Sequence, residues 1–172
     1  VREETPARAI LEDLRDQTGH TASLGALDGA RVLYVYRLHG HRTGQYEADG
    51  NLGVGAHVPT HSTAVGKTLL ASLLDSEFRS LLPSMRLNGA EPNEAATEAS
   101  LTEEIEQVKR AGIALGYEHT PAARAIAVPV TRWLDKPILA VKLTVPASAY
   151  TTKELLTRFG QPVRHAAKLL SV

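Results

Sequence analysis

"HSTAVGKTLLASLL", residues 61–74, contains the tripeptide Gly66-Lys67-Thr68. The same tripeptide closes the phosphate-binding loop G-x-x-x-x-G-K-[ST], so its reading decides between two folds. A phosphate loop would imply a parallel α/β sheet, and it needs a glycine five residues before Gly66 so that backbone N–H groups can wrap the phosphate. That position is His61, and the spacer Ser62-Thr63-Ala64-Val65 has no other glycine. The approach, "GNLGVGAHVPT", carries three glycines and a proline instead of a buried strand. The segment therefore reads as a helix capped by Ser62 or Thr63. Val65, Leu69 and Leu73 fall on one face, with Leu70 and Leu74 beside it. Two roles stay open: a scaffold helix in which Gly66 permits close packing, or a mild anion site at the free N–H groups of the helix start.

The elements around this helix do not alternate as βαβ units. Pro6 suits the first turn of a helix with an apolar face of Ile10, Leu11 and Leu14, ended by Thr18-Gly19. "TASLGAL" and "ARVLYVYRL" flank Asp28-Gly29, a strong hairpin signal. Residues 39–60 read as loop with at most a short strand, and a short helix covers Ser76 to Leu82. "SMRLNGAEPNEAATEA" is a polar connection. "SLTEEIEQVKRAG" begins with a Ser100–Glu103 capping box and ends at Gly112. Two strands follow, Ala125–Thr131 and Ile138–Val145, and a last helix opens with Thr151 and Glu154 and is interrupted near Gly160-Gln161-Pro162. Helix, hairpin, helices, strands, helix is the order of an α+β domain with a mainly antiparallel sheet.

Composition narrows the function. The chain has 172 residues, enough for one well-cored domain, and 43% hydrophobic residues, an ordinary globular value. Lysine plus arginine equals aspartate plus glutamate at 19 each, which argues against a surface that grips DNA phosphates. The absence of cysteine excludes disulfides, thiolate metal sites and cysteine nucleophiles, and is compatible with a cytoplasmic protein. No apolar run approaches the roughly 20 residues of a membrane span. The start at Val1 suggests a piece of a longer protein. Of the seven histidines, His39 and His41 are two apart, and His57 and His61 are separated by Pro59, so no convergent metal set is expected. No G-x-S-x-G elbow is present. Neither a cofactor nor a catalytic residue is expected.

The last two strands carry more information. In "RAIAVPV", Ala125, Ala127 and Pro129 alternate with Ile126, Val128 and Val130, so one face is small. In "PILAVKLTV", Leu139, Val141, Leu143 and Val145 share one face, and Ile138, Ala140, Lys142 and Thr144 share the other. Small residues with one cation and one hydroxyl could floor a ligand pocket. The same face could equally lie in solvent.

Taken together, these segments resemble the effector domain of IclR-family transcription regulators. "HSTAVGKTLLASL" is similar to that family's "H-x-T-A-x-G-K-A-L-L-A". "LEDLRDQTGHTASLGALDGARVLYVYRL" resembles its opening helix and hairpin, "LTEEIEQVKRAGIALGYEH" its "L-x-x-E-L-x-x-x-R-x-x-G-Y" segment, and "AIAVPV" its "C-I-A-A-P-V". The resemblance implies a GAF-like domain over residues 1–172, with a curved antiparallel sheet flanked by helices. It implies a small-molecule effector, often a carboxylate or aromatic compound, and a homodimer or homotetramer. Operator DNA would be bound only through a winged helix-turn-helix domain absent from this chain. Effector contacts carry over to the N–H groups of Ala64 and Val65, and to Gly116, Ala125, Lys142 and Thr144. Of these, Thr144 keeps the family's chemical type. The acid expected near Gly116 and the cysteine expected at Ala125 are missing, and Lys142 stands where a serine is common. Lys142 on the pocket floor implies an anionic effector. Its alternatives are pairing with Glu118, solvent exposure, or an enzyme acting on a small acid through Lys142 or His119. A domain that oligomerises with a vestigial pocket is a further alternative.

Overall fold

The computed structural model describes residues 6–41, 53–85, 87, 97–117, 122–133 and 137–171. Helix α1 (Pro6–Thr18) starts on its proline and stops at Gly19, whose φ of 76° lies in the left-handed region. Strands β1 (Thr21–Asp28) and β2 (Arg31–Leu38) form the expected hairpin. There follow β3 (His57–Pro59), α2 (Ala64–Ala71) and α3 (Asp75–Leu81), the last continued by a 3₁₀ turn at Leu82–Ser84. Then come α4 (Glu98–Ala111), β4 (Ala114–Tyr117), β5 (Ala123–Pro129), β6 (Leu139–Pro146) and α5 (Thr152–Leu170). The six strands lie in the order β3-β2-β1-β6-β5-β4, every neighbouring pair antiparallel. The sheet curls into a half-barrel with helices on both faces, the α+β architecture that the sequence predicts.

The two faces of the sheet differ as the strand alternation requires. Ile126, Val128, Val130, Val141, Leu143 and Val145 form the bulky face and pack with Leu11 and Leu14 of α1 and with Leu155, Phe159 and Val163 of α5. Ala114, Ala125, Ala127 and Ala140 form the small face, and α2 lies on it through Ala64, Val65 and Leu69. Helix α4 covers α2 from the far side, with Leu101 and Ile105 against Leu70. Val65, Leu69 and Leu70 are fully buried, each worth about 1.5–3 kcal/mol of burial.

Every residue of Gly66-Lys67-Thr68 has a structural partner. Thr63 is the N-cap: its Oγ1 accepts from the Gly66 N–H at 3.1 Å and donates to the Pro59 carbonyl at 2.7 Å. A Cβ on Gly66 would stand 2.3 Å from both Cα and O of Thr60, so only glycine lets the helix seat on that backbone. The Lys67 ammonium pairs with Glu104 of α4 at 3.0 Å, and Thr68 Oγ1 donates to the Ala64 carbonyl at 2.8 Å. Arg132, beyond β5, ties back to α3: its guanidinium donates to both Glu77 carboxylate oxygens at 2.6 and 2.8 Å. Those bonds, with the Leu74 N–H, hold the Glu77 carboxyl down at a pKa of about 2.

Four expectations need correction. Helix α4 begins three residues earlier, because Thr97 takes the cap and Ser100 serves as its third residue, with reciprocal bonds of 3.1 Å. Helix α5 runs unbroken through Pro162. The proline removes one backbone bond, at about 3 kcal/mol, but Phe159, Val163, Ala166 and Ala167 on either side are buried in the core and offset that cost. The short strand β4, "ALGY", does not appear as a separate strand in the periodicity because its four residues are too few to show alternation. Finally, Lys142 and Thr144 do not face solvent: they are 0% and 2% exposed. Most of the "SMRLNGAEPNEAATEA" connection lies outside the described residues, as do Glu118 and His119.

Gly66→Ala and Gly116→Ala should separate in urea unfolding. The first forces a methyl into the Thr60 backbone and should cost about 2 kcal/mol or more, despite the better helix propensity of alanine. The second meets only the Ala64 Cβ at 3.8 Å and should change stability by less than about 1 kcal/mol.

Candidate functional site

Strand register places three of the sequence-predicted residues in one row. Gly116 on β4 pairs with Ala125 on β5, which pairs with Thr144 on β6. The α2 start stands over this row, since a Cβ on Gly116 would touch the Ala64 Cβ. Lys142 lies two residues along β6 on the same face, between Ala127 and Ser23. Ala64, Gly116, Ala125, Lys142 and Thr144 are thus brought together. The Val65 side chain is not aimed at them: its Cγ2 fills the space over Gly25, leaving its backbone N–H as the group at the helix start. Helix geometry leaves the Ala64 and Val65 N–H groups without intrahelical acceptors, whereas the Gly66 N–H is taken by Thr63. The small residues expected to floor a pocket chiefly make room for α2.

Four residues that strand patterns in the sequence did not single out complete the region. Lys142 Nζ donates to the Tyr34 hydroxyl and lies 4.6 Å from the centre of the Tyr34 ring. Tyr34 is itself fully buried. Its ring can reach β6 because the intervening β1 residues are Gly25, paired with Tyr34, and Ser23. Arg37 pairs with Ser23, and its Cζ lies 5.4 Å from the same ring centre. Thr21 pairs with Thr144, and its hydroxyl accepts from the Gly40 N–H at 3.1 Å.

The region is polar, cationic and incompletely paired. Ser23 Oγ, Thr144 Oγ1, and Arg37 Nε and Nη1 are buried without a hydrogen-bond partner among the described residues. A buried polar group in that condition costs about 1–3 kcal/mol. Among the described residues, the strand positions on this face include no aspartate or glutamate. A cluster of buried hydroxyls and cations close to a helix N-terminus is rich in donors suited to an anion. Clefts bounded by described residues also lie elsewhere on the molecule, one of them lined by Arg164, His165 and Lys168 of α5. The one between α3 and α4, about 320 Å³, is rimmed by Asp75, Glu98 and Glu106 as well as Arg79 and Lys109.

Three of the described histidines are engaged elsewhere. His41 and His57 bond Asp16 and Asp28 at 3.1 and 2.8 Å, and His20 meets the Tyr150 hydroxyl at 2.9 Å within an edge-to-face cluster with Phe159. Among the described residues no group of histidines and carboxylates could hold a metal ion, and no helix is long and apolar enough to cross a membrane.

The sequence profile described as "Bacterial transcriptional regulator IclR C-terminal" matches residues 4–172. The chain belongs to the IclR family. Among curated IclR-type relatives, it is 30% identical over 166 residues to the HTH-type transcriptional regulator XynR of Escherichia coli K12, covering 96% of this chain and 64% of that protein. The C-terminal domain of E. coli KdgR superposes with a TM-score of 0.81 at 24% identity, over 96% of this chain and 93% of that one. The inducer-binding domain of a PobR double mutant from Acinetobacter, in complex with 3-hydroxybenzoic acid, superposes with a TM-score of 0.81 at 25% identity. There the match covers 97% of this chain and 96% of the other. The chain thus spans under two thirds of XynR and nearly all of these isolated C-terminal domains.

Thr144→Val tests whether the corner is shaped for a ligand or for stability. Without ligand, the substitution should leave unfolding free energy unchanged or raise it by up to about 1 kcal/mol, since it removes a buried hydroxyl with no described partner. A loss of more than about 1 kcal/mol by urea unfolding would contradict this.

Proposed function

We propose that this chain is the effector-sensing part of a longer transcriptional regulator, and that it binds a small anionic metabolite at the corner formed by the α2 start, Lys142 and Thr144. The observation that carries this reading is the set of buried polar groups without a hydrogen-bond partner at this corner, Thr144 Oγ1, Ser23 Oγ and Arg37 Nε and Nη1, beside the buried Lys142. Buried donors left unpaired are costly, and a ligand oxyanion that accepts from them offsets the cost. Tyr34 holds the ammonium in place through its hydroxyl and ring, and the Ala64 and Val65 N–H groups supply further donors. The 3-hydroxybenzoic acid complex of the PobR domain shows that a related fold accommodates an aromatic carboxylate, which supports the choice of ligand class. Ala125 and Gly116 then contribute shape, since neither has a polar side chain.

Regulation follows by linkage. An effector that prefers one arrangement of the subunits shifts the arrangement by its differential affinity, and DNA-binding domains attached to the subunits follow. The chain itself, with zero formal net charge, senses rather than grips DNA. The relatives' names as regulators favour this over catalysis. Self-association to a dimer or tetramer belongs to the same reading, and sedimentation equilibrium giving only monomer at high protein concentration would contradict it.

The binding test uses calorimetry with benzoate, 3-hydroxybenzoate and short aliphatic acids. Lys142→Met should weaken any acid that binds by more than about tenfold, because losing a buried charge pair costs about 2–5 kcal/mol. Unchanged affinity, or a preference for neutral isosteres such as the amides, would overturn the proposal.

A further inference from the structure

Three side chains on the sheet face under α2 hold buried polar atoms that folding leaves unused. Ser23 on β1 and Thr144 on β6 are buried, and neither hydroxyl has a hydrogen-bond partner among the described residues. Arg37 on β2 pairs with Ser23, and its Nε and Nη1 are buried in the same condition. Arg37 reaches this face through a bulge that the sequence hides. β1 and β2 pair as Leu24–Tyr36 and then Gly25–Tyr34, so β2 carries one residue more than β1 at this point. Tyr36 and Leu38 consequently pack into the α1–α5 core, whereas Val32 and Tyr34, of the same parity, pack under α2. Tyr34 and Arg37, three residues apart, therefore share one face. Bulges of this kind re-aim side chains at functional sites.

The unused groups are spread along the face rather than gathered at one point. The Arg37 Cζ lies 5.4 Å from the centre of the Tyr34 ring, and Tyr34 pairs with Gly25. Thr144 pairs with Thr21, four residues earlier on β1, or about 13 Å at roughly 3.3 Å per residue. A carboxylate held at the α2 start, over the Thr144 row, does not extend to Arg37 as well. We infer that Arg37 and Ser23 form a second contact point for the effector, and that the effector is an acid bearing a hydroxyl or carbonyl oxygen remote from its carboxylate. The inference rests on the reading of this corner as the effector site, and it is independent of which group Lys142 pairs with. The guanidinium, fixed in orientation by the Tyr34 ring, donates, and the Ser23 hydroxyl donates or accepts. Together they match an oxygen that accepts from Arg37 and, in a hydroxyl, also donates to Ser23. A methyl group in the same place would leave both side chains desolvated and unpaired. That is the condition under which a site rejects an analogue lacking the oxygen.

Isosteric acids with and without the second oxygen provide the test. Three pairs are titrated by calorimetry into the native chain, Arg37→Met, Ser23→Ala and Lys142→Met: 3-hydroxybenzoate with 3-methylbenzoate, 4-hydroxybenzoate with 4-methylbenzoate, and 4-oxopentanoate with 4-methylpentanoate. In at least one pair, the native protein should bind the oxygen-bearing acid about tenfold or more tighter than its methyl partner. Arg37→Met should bring that acid down to the affinity of its methyl partner, and Ser23→Ala should narrow the gap. Thermal unfolding of each variant checks that it is folded. Ser23→Ala, which deletes a hydroxyl without a described partner, carries the comparison if Arg37→Met is not folded. Methyl partners binding as tightly as the oxygen-bearing acids, or Arg37→Met weakening both members of every pair equally, would overturn the inference while leaving the acid site intact. Binding that ignores Lys142→Met, or no binding by any of these acids, would overturn both.

Discussion

The structure depends on one close contact: helix α2 lying directly on a sheet face reduced to alanine and glycine. Ala114, Ala125, Ala127 and Ala140 lower the floor, Gly25 admits the Val65 side chain, and Gly66 admits the Thr60 backbone at the other side of the helix. At Gly25 and Gly66 one added carbon would press on Val65 and on the Thr60 backbone. Because the helix is held this near, the unsatisfied N–H groups of its first turn stand over the row of Gly116, Ala125 and Thr144. The same contact brings Leu70 under α4, so the second layer of helices follows from the first. Gly66-Lys67-Thr68, which on its face suggested a phosphate loop, is the seat of that helix.

Where the small residues stop, polar ones begin, and this boundary is the corner. A face that packs a helix needs small, apolar residues; the next positions along the same strands, Ser23, Lys142 and Thr144, are buried but polar. Burial of Ser23 Oγ and Thr144 Oγ1 without a hydrogen-bond partner is a standing cost of about 1–3 kcal/mol per group. Sites that break local rules for stability are the usual places of function, since binding demands donors that folding does not use. The family membership of the chain and the ligand-bound PobR relative are consistent with that division of labour.

Much of this was legible in the sequence, and the limits have physical causes. Asp28-Gly29 gave the hairpin, Gly19 and Gly112 the helix ends, and the alternation in "RAIAVPV" and "PILAVKLTV" the two unlike faces, because each rests on local geometry. The run through Pro162 was misread because tertiary burial of Phe159 and Val163 outweighs a local penalty. At the corner, Lys142 and Thr144 could be placed by strand period alone. Arg37 and Tyr34 could not, since a period of two sets residues three apart on opposite faces and no residue type announces the bulge between them. Ser23 was missed for another reason: it matters through its cross-strand neighbours, and register across a sheet is a tertiary fact.

The most direct measurement of the central claim is a crystal structure of the chain soaked with a bromobenzoate, with the bromine located by its anomalous scattering. The account predicts the carboxylate within hydrogen-bonding distance of Lys142 Nζ or of the Ala64–Val65 N–H groups, and the ring over the Gly116–Ala125–Thr144 row. An acid seated in the charged cleft between α3 and α4, or a Lys142 ammonium left untouched by an acid that binds elsewhere, would contradict it.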